Sequence, residues 1–370
     1  MSAGVELGRG ESAGVELGRG VSAGSELGQG VSAGAELGRR LRERDLTAAP
    51  ATLNLVENRG AGAREQTAAL LAEVSPAAQG HENGAHVIGV TGPPGVGKST
   101  LLSALVGHWR SRERSVAVLA VDPSSRRSGG SLLGDRARIV SDAADRAVFI
   151  RSTAAGERLG GLAPATRAGA QALAAAFDVV VIETVGVGQS ETEVAEVADT
   201  VAVIVQPGSG DALQFLKAGI MEVPDVLVVT KADLGAVATR AEADLRGALG
   251  SVGASDTRVV AVCAVEPLRG IGELADALEE HRLSVDVVQR RRSARRANAL
   301  ADFVVEHGER GLRALGGRRA ARGWLAEQDP GLDVAALTSA LEGRAGVTRA
   351  ADGARAGVAD TVRDGSRHAV

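Results

Sequence analysis

The chain has 370 residues, of which 44% are hydrophobic, so it can form one large domain with extensions or two domains. Its formal net charge of −4 gives no general reason to expect nucleic acid or a membrane surface as a partner. Cys263 is the only cysteine, which excludes a disulfide within the chain and indicates a reducing compartment.

Two further exclusions concern targeting. No apolar stretch of the sequence approaches the roughly 20 residues that a membrane span needs. The N-terminus has neither the basic start nor the apolar core of a signal peptide. We therefore expect a cytoplasmic protein.

Residues 1–40 form a tandem decapeptide. The sequence Ser-Ala-Gly-Val-Glu-Leu-Gly-Arg-Gly recurs with small changes from Ser2, Ser12, Ser22 and Ser32. A ten-residue period matches none of the common solenoid units, and the repeated glycines disfavour a helix. We expect a disordered low-complexity tail over 1–40, with an array of partner-binding peptides as the alternative.

A helical extension is predicted over 41–84. Its apolar residues fall near a 3.6-residue spacing, which is typical of one face of a helix: Leu53, Val56, Leu70, Leu71 and Val74. The stretch from Pro76 to Gly84 has the composition of a linker.

Strand-like and helix-like runs alternate over 85–283, which we predict to be one domain. The predicted strands are Val87–Thr91, Val116–Val121, Val148–Arg151, Val179–Glu183, Val201–Val205, Val226–Thr230 and Val259–Cys263. This alternation predicts an α/β fold with a doubly wound, mostly parallel sheet. Ligands of such sheets bind at the carboxyl ends of the strands.

A phosphate-binding loop directly follows the first predicted strand. Its pattern is G-x-x-x-x-G-K-[ST], and a helix-like stretch from Thr100 to His108 comes next. The loop glycines let backbone N–H groups surround a phosphate, Lys98 can reach the β- and γ-phosphates, and the Ser99 hydroxyl can ligate Mg²⁺. The predicted nucleotide contacts here are Gly92, Pro93, Pro94, Gly95, Val96, Gly97, Lys98, Ser99 and Thr100.

Lysine usage supports the same interpretation. The chain uses arginine almost everywhere, and its only lysines are Lys98, Lys217 and Lys231. In a sequence that otherwise avoids lysine, a lysine is expected where its compact ammonium charge cannot be replaced by the planar guanidinium group of arginine. The sequence therefore predicts a protein that binds a nucleoside triphosphate, with P-loop NTPase architecture.

The predicted base is guanine. Thr230-Lys231-Ala232-Asp233, which we call the 230–233 motif, resembles the N/T-K-x-D motif of GTPases and follows a predicted strand. The Asp233 carboxylate can accept hydrogen bonds from guanine N1–H and the N2 amine, whereas adenine offers neither donor there. After the next strand, Cys263-Ala264-Val265 takes the place of the usual Ser-Ala sequence and can contact the base through its backbone. We expect Cys263 itself to be a small buried residue.

Acidic residues end two of the predicted strands. Asp122 follows the second strand, and Glu183 opens Glu-Thr-Val-Gly-Val-Gly-Gln-Ser where most GTPases place Asp-x-x-Gly. The Glu183 carboxylate can hold Mg²⁺ through water, and the Gly186 N–H can bind the γ-phosphate. Loss of that phosphate would release the loop, as in GTPase switches.

A second helical extension is predicted over 284–370. A basic run at 289–296 precedes Leu300, Phe303, Val304 and His307, which follow i, i+3, i+4, i+7 spacing. Such an apolar stripe needs a partner surface. The main domain and a second subunit are both candidates for that surface. We expect a homodimer with this extension as its arm. We also expect a frayed end over 346–370.

These segments together resemble one family, the MeaB/ArgK-type GTPases. The resemblance covers about Leu41 to Leu300, and the segment that opens at Glu183 is its most specific part. The matching text is Gly92–Thr100, Ala120–Ser125, Gly130–Asp135, Leu159–Leu162, Glu183–Glu191, Gly210–Gln214 and Lys217–Glu222. The chain departs from the family pattern at Arg136, Phe215, Leu216 and Thr230.

The resemblance implies a Mg²⁺-dependent GTPase that is a chaperone of adenosylcobalamin-dependent methylmalonyl-CoA mutase, gating cofactor loading and protecting the enzyme. It implies that Asp122, Asp135 and Glu183 hold Mg²⁺ or its waters, with Ser99 as the direct ligand. Gln189 is the candidate for positioning the attacking water. Slow hydrolysis of GTP to GDP and phosphate, accelerated by the partner, is the expected activity.

Three alternatives stay open. The first is nickel insertion into hydrogenase or urease by a related GTPase, although the six histidines are scattered. The second is an ArgK-like kinase of an amino-acid transport system, which would have to reach the periplasm. The third is a guanine-nucleotide-dependent scaffold with negligible turnover.

Overall fold

Seven parallel strands form one sheet in the part of the chain that the computed structural model describes, residues 32–122, 139–142, 144–154, 162–184, 194–208 and 224–347. The strands are β1 His86–Thr91, β2 Val116–Asp122, β3 Val148–Ala154, β4 Val179–Glu183, β5 Thr200–Val205, β6 Val226–Val229 and β7 Arg258–Ala261. Their order across the sheet is β3-β2-β4-β1-β5-β6-β7. The predicted α/β fold with a doubly wound sheet is confirmed.

The helices lie on both faces of the sheet and at both ends of the chain. They are α1 Ala33–Arg42, α2 Ala49–Glu57, α3 Ala63–Glu73, α4 Pro76–Gln79, α5 Lys98–Ser111, α6 Pro164–Leu173, α7 Ala236–Ser251, α8 Ile271–Ser284, α9 Val287–Ala314, α10 Arg318–Ala326 and α11 Val334–Ala345. Short 3₁₀ helices occupy Leu46–Ala48 and Ala232–Leu234. No helix of the described chain is both long and apolar enough to cross a membrane.

Two apolar cores cover the two faces of the sheet. On β1, Val87 packs with residues of α2, α3, α6 and α7, whereas Ile88 and Val90 pack with residues of α5 and α8. The alternation follows from the strand period of two, since successive side chains point to opposite faces. Both faces are buried, which is why the strands read as continuous apolar runs.

The structure differs from the sequence prediction in the fourth decapeptide. Helix α1 begins at Ala33, and the Ser32 hydroxyl caps it by accepting a hydrogen bond from the Ala35 N–H at 3.1 Å. A Cβ atom at Gly34 would lie 1.9 Å from the carbonyl oxygen of Gln66 in α3. The repeat glycines that disfavour an isolated helix thus allow α1 to approach α3 closely. The predicted tail does not extend to residue 40; residues 1–31 lie outside the described part.

The C-terminal helices pack on each other around their own apolar cluster. Phe303 of α9, Leu325 of α10 and Leu341 of α11 are all buried there. This packing supplies a partner within the same chain for the apolar stripe of α9. The homodimer stays a prediction, as do the boundaries at 41–84, 85–283 and 284–370, and residues 348–370 lie outside the described part.

Three arginines of α9 fasten this extension to the sheet domain at the amino ends of the strands. Arg291 binds both carboxylate oxygens of Asp199, at 2.7 and 2.6 Å, and Asp199 is completely buried. The same carboxylate accepts the backbone N–H of Val87 at the start of β1. Arg290 pairs with Asp225 in the same way, and Arg295 pairs with Glu82.

The amino edge of the sheet also holds helix α8. The buried His86 ring bonds to the Thr200 hydroxyl at 2.9 Å and faces the Glu279 carboxylate at 3.3 Å. The hydrogen bond from His86, aided by the charges of Arg114 and Arg282, lowers the pKa of Glu279 to about 2 although burial opposes the shift. Burial lowers the pKa of His86 itself. A polar network therefore joins β1, β5 and α8 at this edge.

We predict that Arg291→Ala lowers the free energy of unfolding by about 3–5 kcal/mol, because it leaves the buried Asp199 carboxylate without its partner cation. Arg290→Ala is the matched control. Its partner Asp225 keeps the His281 ring at 3.1 Å, so the loss should be only about 1–2 kcal/mol. Urea denaturation measures both values, and equal losses for the two variants would contradict this assignment.

Candidate nucleotide-binding site

Polar segments meet at the carboxyl edge of the sheet, opposite the ion pairs of α9. The phosphate loop follows β1, Glu183 ends β4, and the 230–233 motif follows β6. Strand β1 lies between β4 and β5, and β6 is the next strand after β5. Because the strands are parallel, all of these segments leave the sheet on the same side.

The phosphate loop depends on glycine at its first position. Gly92 has a φ of 144°, and a Cβ atom there would lie 2.2 Å from the carbonyl oxygen of Ile204 in β5. Gly95 and Gly97 also have positive φ values, 81° and 97°. Only glycine combines these backbone angles with such a close approach. Helix α5 then begins at Lys98, so its N-terminal N–H groups face the loop.

Lys98 is buried, and its ammonium group lies within the loop. Its Nζ donates hydrogen bonds to the carbonyl oxygens of Gly92, at 2.7 Å, and Pro93, at 3.1 Å. A buried ammonium needs such partners or a counter-ion. Phosphate oxygens entering the loop would supply the counter-ion, so the observed position suits the predicted role of Lys98.

The structure brings two of the four predicted metal ligands together. The Ser99 hydroxyl lies 3.4 Å from Glu183 Oε1, although their residues are 84 positions apart in sequence. The hydroxyls of Thr91 and Thr184, at the ends of β1 and β4, are buried and have no hydrogen-bond partner among the described residues. A hydroxyl beside a carboxylate, with further polar atoms in need of partners, fits a hydrated Mg²⁺ ion.

Four predicted residues cannot be placed fully. Asp122 is the last residue of β2, which ends at the same edge of the sheet, but only its backbone is described. Asp135, Gly186 and Gln189 lie outside the described part of the chain. Within that part, no group of three or more His, Cys, Asp or Glu side chains could hold a metal ion.

Thr230 links the 230–233 motif to the phosphate loop. Its buried hydroxyl lies 2.7 Å from the Val96 carbonyl oxygen and 3.0 Å from that of Val205. A hydroxyl has one proton, so it donates to one of these oxygens at a time. The contact with Val96 fixes the distance between the part of the site suited to a base and the part suited to phosphates.

The other side chains of this motif remain open to a ligand. Asp233 is exposed. Lys231 is exposed as well and has a left-handed backbone with φ 56°. Its ammonium group donates a hydrogen bond to the side-chain oxygen of Gln206. Gln206 is not among the residues predicted from the sequence, although a polar residue directly after a buried parallel strand is a usable signal.

The Cys263–Val265 segment forms a loop after β7. Cys263 is buried, as predicted, and its thiol lies 3.2 Å from the Val265 carbonyl oxygen. Its backbone also exchanges two hydrogen bonds with Arg269. Ala264 is half-buried and Val265 is exposed, and the loop follows β7 at the same edge of the sheet as Asp233.

A protein-family model matches most of the chain. Residues 33–312 match the family model described as methylmalonyl Co-A mutase-associated GTPase MeaB. This range contains the whole sheet, α1 and the long helix α9 as far as residue 312.

Individual relatives point the same way. A Pyrococcus abyssi protein named as a GTPase is 42% identical over 250 residues, which are 66% of this chain and 74% of that protein. The methylmalonic aciduria type A homolog of Caenorhabditis elegans is 43% identical over 169 residues, 44% of this chain and 42% of that protein. A crystal structure of LAO/AO transport system kinase covers 82% of this chain and 99% of its own, with 28% identity and a TM-score of 0.59.

We predict that Gly92→Ala destabilises the protein by about 3 kcal/mol or more, since it combines backbone strain with a contact between the new Cβ and Ile204. Gly95→Ala is the matched control, because its φ is also positive but its Cβ would meet nothing within 4 Å. Strain alone should lower its stability by about 1–2 kcal/mol. Chemical denaturation would contradict this account if both variants lost the same free energy.

We also predict that Asp233→Asn weakens GDP binding by about 10²-fold or more, because one of two acceptor oxygens becomes a donor. The amide would instead complement xanthine, which carries an oxygen where guanine has the N2 amine. Calorimetric titration with GDP and with xanthosine diphosphate (XDP) measures whether the preference changes from guanine to xanthine. Asp244→Asn, at an exposed position, is the control. An unchanged preference for GDP would remove Asp233 from the base site.

Proposed function

This chain belongs to the MeaB family of methylmalonyl-CoA mutase-associated GTPases, and we propose that it is a Mg²⁺-dependent GTPase that serves an adenosylcobalamin-dependent acyl-CoA mutase. In this proposal it gates cofactor loading and protects the mutase. The observation that carries the proposal is the hydrogen bond from Thr230 to Val96, which joins the phosphate loop and the 230–233 motif into one site.

The proposal assigns distinct roles to residues at the phosphate end of the nucleotide. Lys98 and the N–H groups of the loop bind the β- and γ-phosphates, and they stabilise the charge that grows on the transferred group. Ser99 and Glu183 would hold Mg²⁺ and its waters, together with Asp122 and Asp135. Bound Mg²⁺ supplies charge neutralisation on the phosphate oxygens. Gln189 positions the attacking water, and Gly186 donates its N–H to the γ-phosphate.

The base end provides selectivity. Asp233 accepts the two guanine donors, Lys231 lies along the base, and the backbone of Cys263, Ala264 and Val265 contacts its O6 edge. A site built on such hydrogen bonds rejects adenine by leaving the Asp233 carboxylate unpaired. Hydrolysis by the chain alone is expected to be slow and to require the partner for acceleration.

The proposed client is methylmalonyl-CoA mutase. The description of the family names methylmalonyl Co-A mutase, and the Caenorhabditis elegans relative is named for methylmalonic aciduria. We further propose that the protein is cytoplasmic and that the C-terminal extension contributes to a homodimer.

A second candidate follows from the structural relative. The LAO/AO transport system kinase shares the fold at 28% identity, so transfer of the γ-phosphate to an acceptor protein is the competing reaction. A phosphate-transfer step would consume GTP without releasing equivalent inorganic phosphate, so the two candidates are distinguishable in one assay.

The decisive experiment measures phosphate release from GTP by the purified chain, with and without methylmalonyl-CoA mutase. We predict turnover that prefers GTP to ATP, rises with the mutase, and falls by about 10²- to 10³-fold in Lys98→Ala, which removes a cation at the phosphates. Arg112→Ala is the matched control, because Arg112 follows α5 at its far end and its side chain is largely exposed.

Each negative outcome has a separate meaning. GTP turnover that does not change when the mutase is added would support the GTPase activity and exclude methylmalonyl-CoA mutase as the client. Full activity in Lys98→Ala would exclude the phosphate loop as the site of hydrolysis.

A further inference from the structure

Gln206 lies between the two halves of the candidate site. It directly follows β5, which is hydrogen-bonded to β1 on one side and to β6 on the other. The phosphate loop follows β1, and the 230–233 motif follows β6. The half-buried side chain of Gln206 accepts a hydrogen bond from Lys231 Nζ.

The backbone around this contact is held firmly. The Thr230 N–H donates to the Val205 carbonyl oxygen at 2.9 Å, and the Thr230 hydroxyl lies 3.0 Å from the same atom. The residues that precede Gln206 and Lys231 are therefore fixed against each other. Because these backbones are fixed, the side chains of Gln206 and Lys231 meet in a defined geometry.

Lys231 needs such a support. Its backbone has a left-handed conformation that few residues other than glycine adopt, and its side chain is exposed. An exposed lysine samples many rotamers and loses that freedom when its methylene groups are held against a ligand. A residue that already holds the ammonium group reduces this loss on binding.

We propose that Gln206 is a positioning residue for nucleotide binding. By accepting a hydrogen bond from Lys231 Nζ, it holds the aliphatic part of that lysine as a preformed wall of the base pocket. This inference rests on the proposed function, because it takes the 230–233 motif as the guanine site. Gln206 acts through Lys231 and does not take part in hydrolysis.

The test is GDP affinity in Gln206→Ala and Gln206→Glu, measured by calorimetric titration. Loss of the acceptor in Gln206→Ala should weaken GDP binding by about 5- to 10-fold, which corresponds to the ordering of one long side chain. Gln206→Glu retains an acceptor and should restore affinity to within about twofold. For GTP hydrolysis, KM should rise in Gln206→Ala by the same factor while kcat is unchanged.

A double-mutant cycle shows whether Gln206 acts through Lys231. Lys231→Met keeps an unbranched apolar stem about as long as the four methylene groups of lysine and removes the ammonium group, so adding Gln206→Ala to it should cause no further loss of GDP affinity. Gln289→Ala, at an exposed position of α9, is the matched control and should bind GDP like the wild type. Thermal unfolding verifies that each variant is folded.

The outcomes separate this inference from the proposed function. If the wild-type chain binds GDP but Gln206→Ala binds it equally well, the positioning role is wrong and the guanine site remains. Equal loss in the wild-type and Lys231→Met backgrounds, or failure of Gln206→Glu to restore affinity, also overturns it. If the wild-type chain does not bind GDP, the proposed function fails and this inference fails with it.

Discussion

The buried hydroxyl of Thr230 is the contact on which the candidate site depends. It reaches the Val96 carbonyl oxygen in the phosphate loop from a motif that is 134 residues away in sequence. Strand β5 supports both sides of this contact, since Ile204 lies directly against Gly92 and Val205 accepts from Thr230. The base and the phosphates of a nucleotide are joined through one ribose, which limits the distance between them, so a nucleotide site needs its two halves held at a defined separation. The hydrogen bond between the Thr230 hydroxyl and the Val96 carbonyl oxygen sets that separation.

The two edges of the sheet have different roles. At the carboxyl edge, glycines, exposed polar groups and a helix N-terminus leave room and donors for an anion. At the amino edge, buried carboxylates are paired with arginines of α9, and these ion pairs hold the C-terminal helices in place. This division keeps the extension attached without placing its arginines next to the site.

Much of the fold was predictable because buried parallel strands leave a strong signal. All seven strands are predictable as runs rich in Val, Ile, Leu, Ala and Phe, and the phosphate loop is predictable from its glycine spacing. Strand β7 ends at Ala261 rather than at the predicted Cys263, since Cys263 pairs with Arg269 in an antiparallel bridge. The helix in the fourth decapeptide was missed because its glycines are favourable only in contact with α3. Gln206 was missed for a similar reason, as its partner Lys231 is near it only in the folded chain.

We claim, above all, that the carboxyl edge of the sheet is a guanine nucleotide site. Calorimetric titration of the purified chain with GDP and with ADP, in the presence of Mg²⁺, tests that claim most directly. The account predicts saturable binding of GDP with at least about 10³-fold preference over ADP, because adenine leaves Asp233 without donors. Equal affinities for the two nucleotides, or binding of neither, would contradict it.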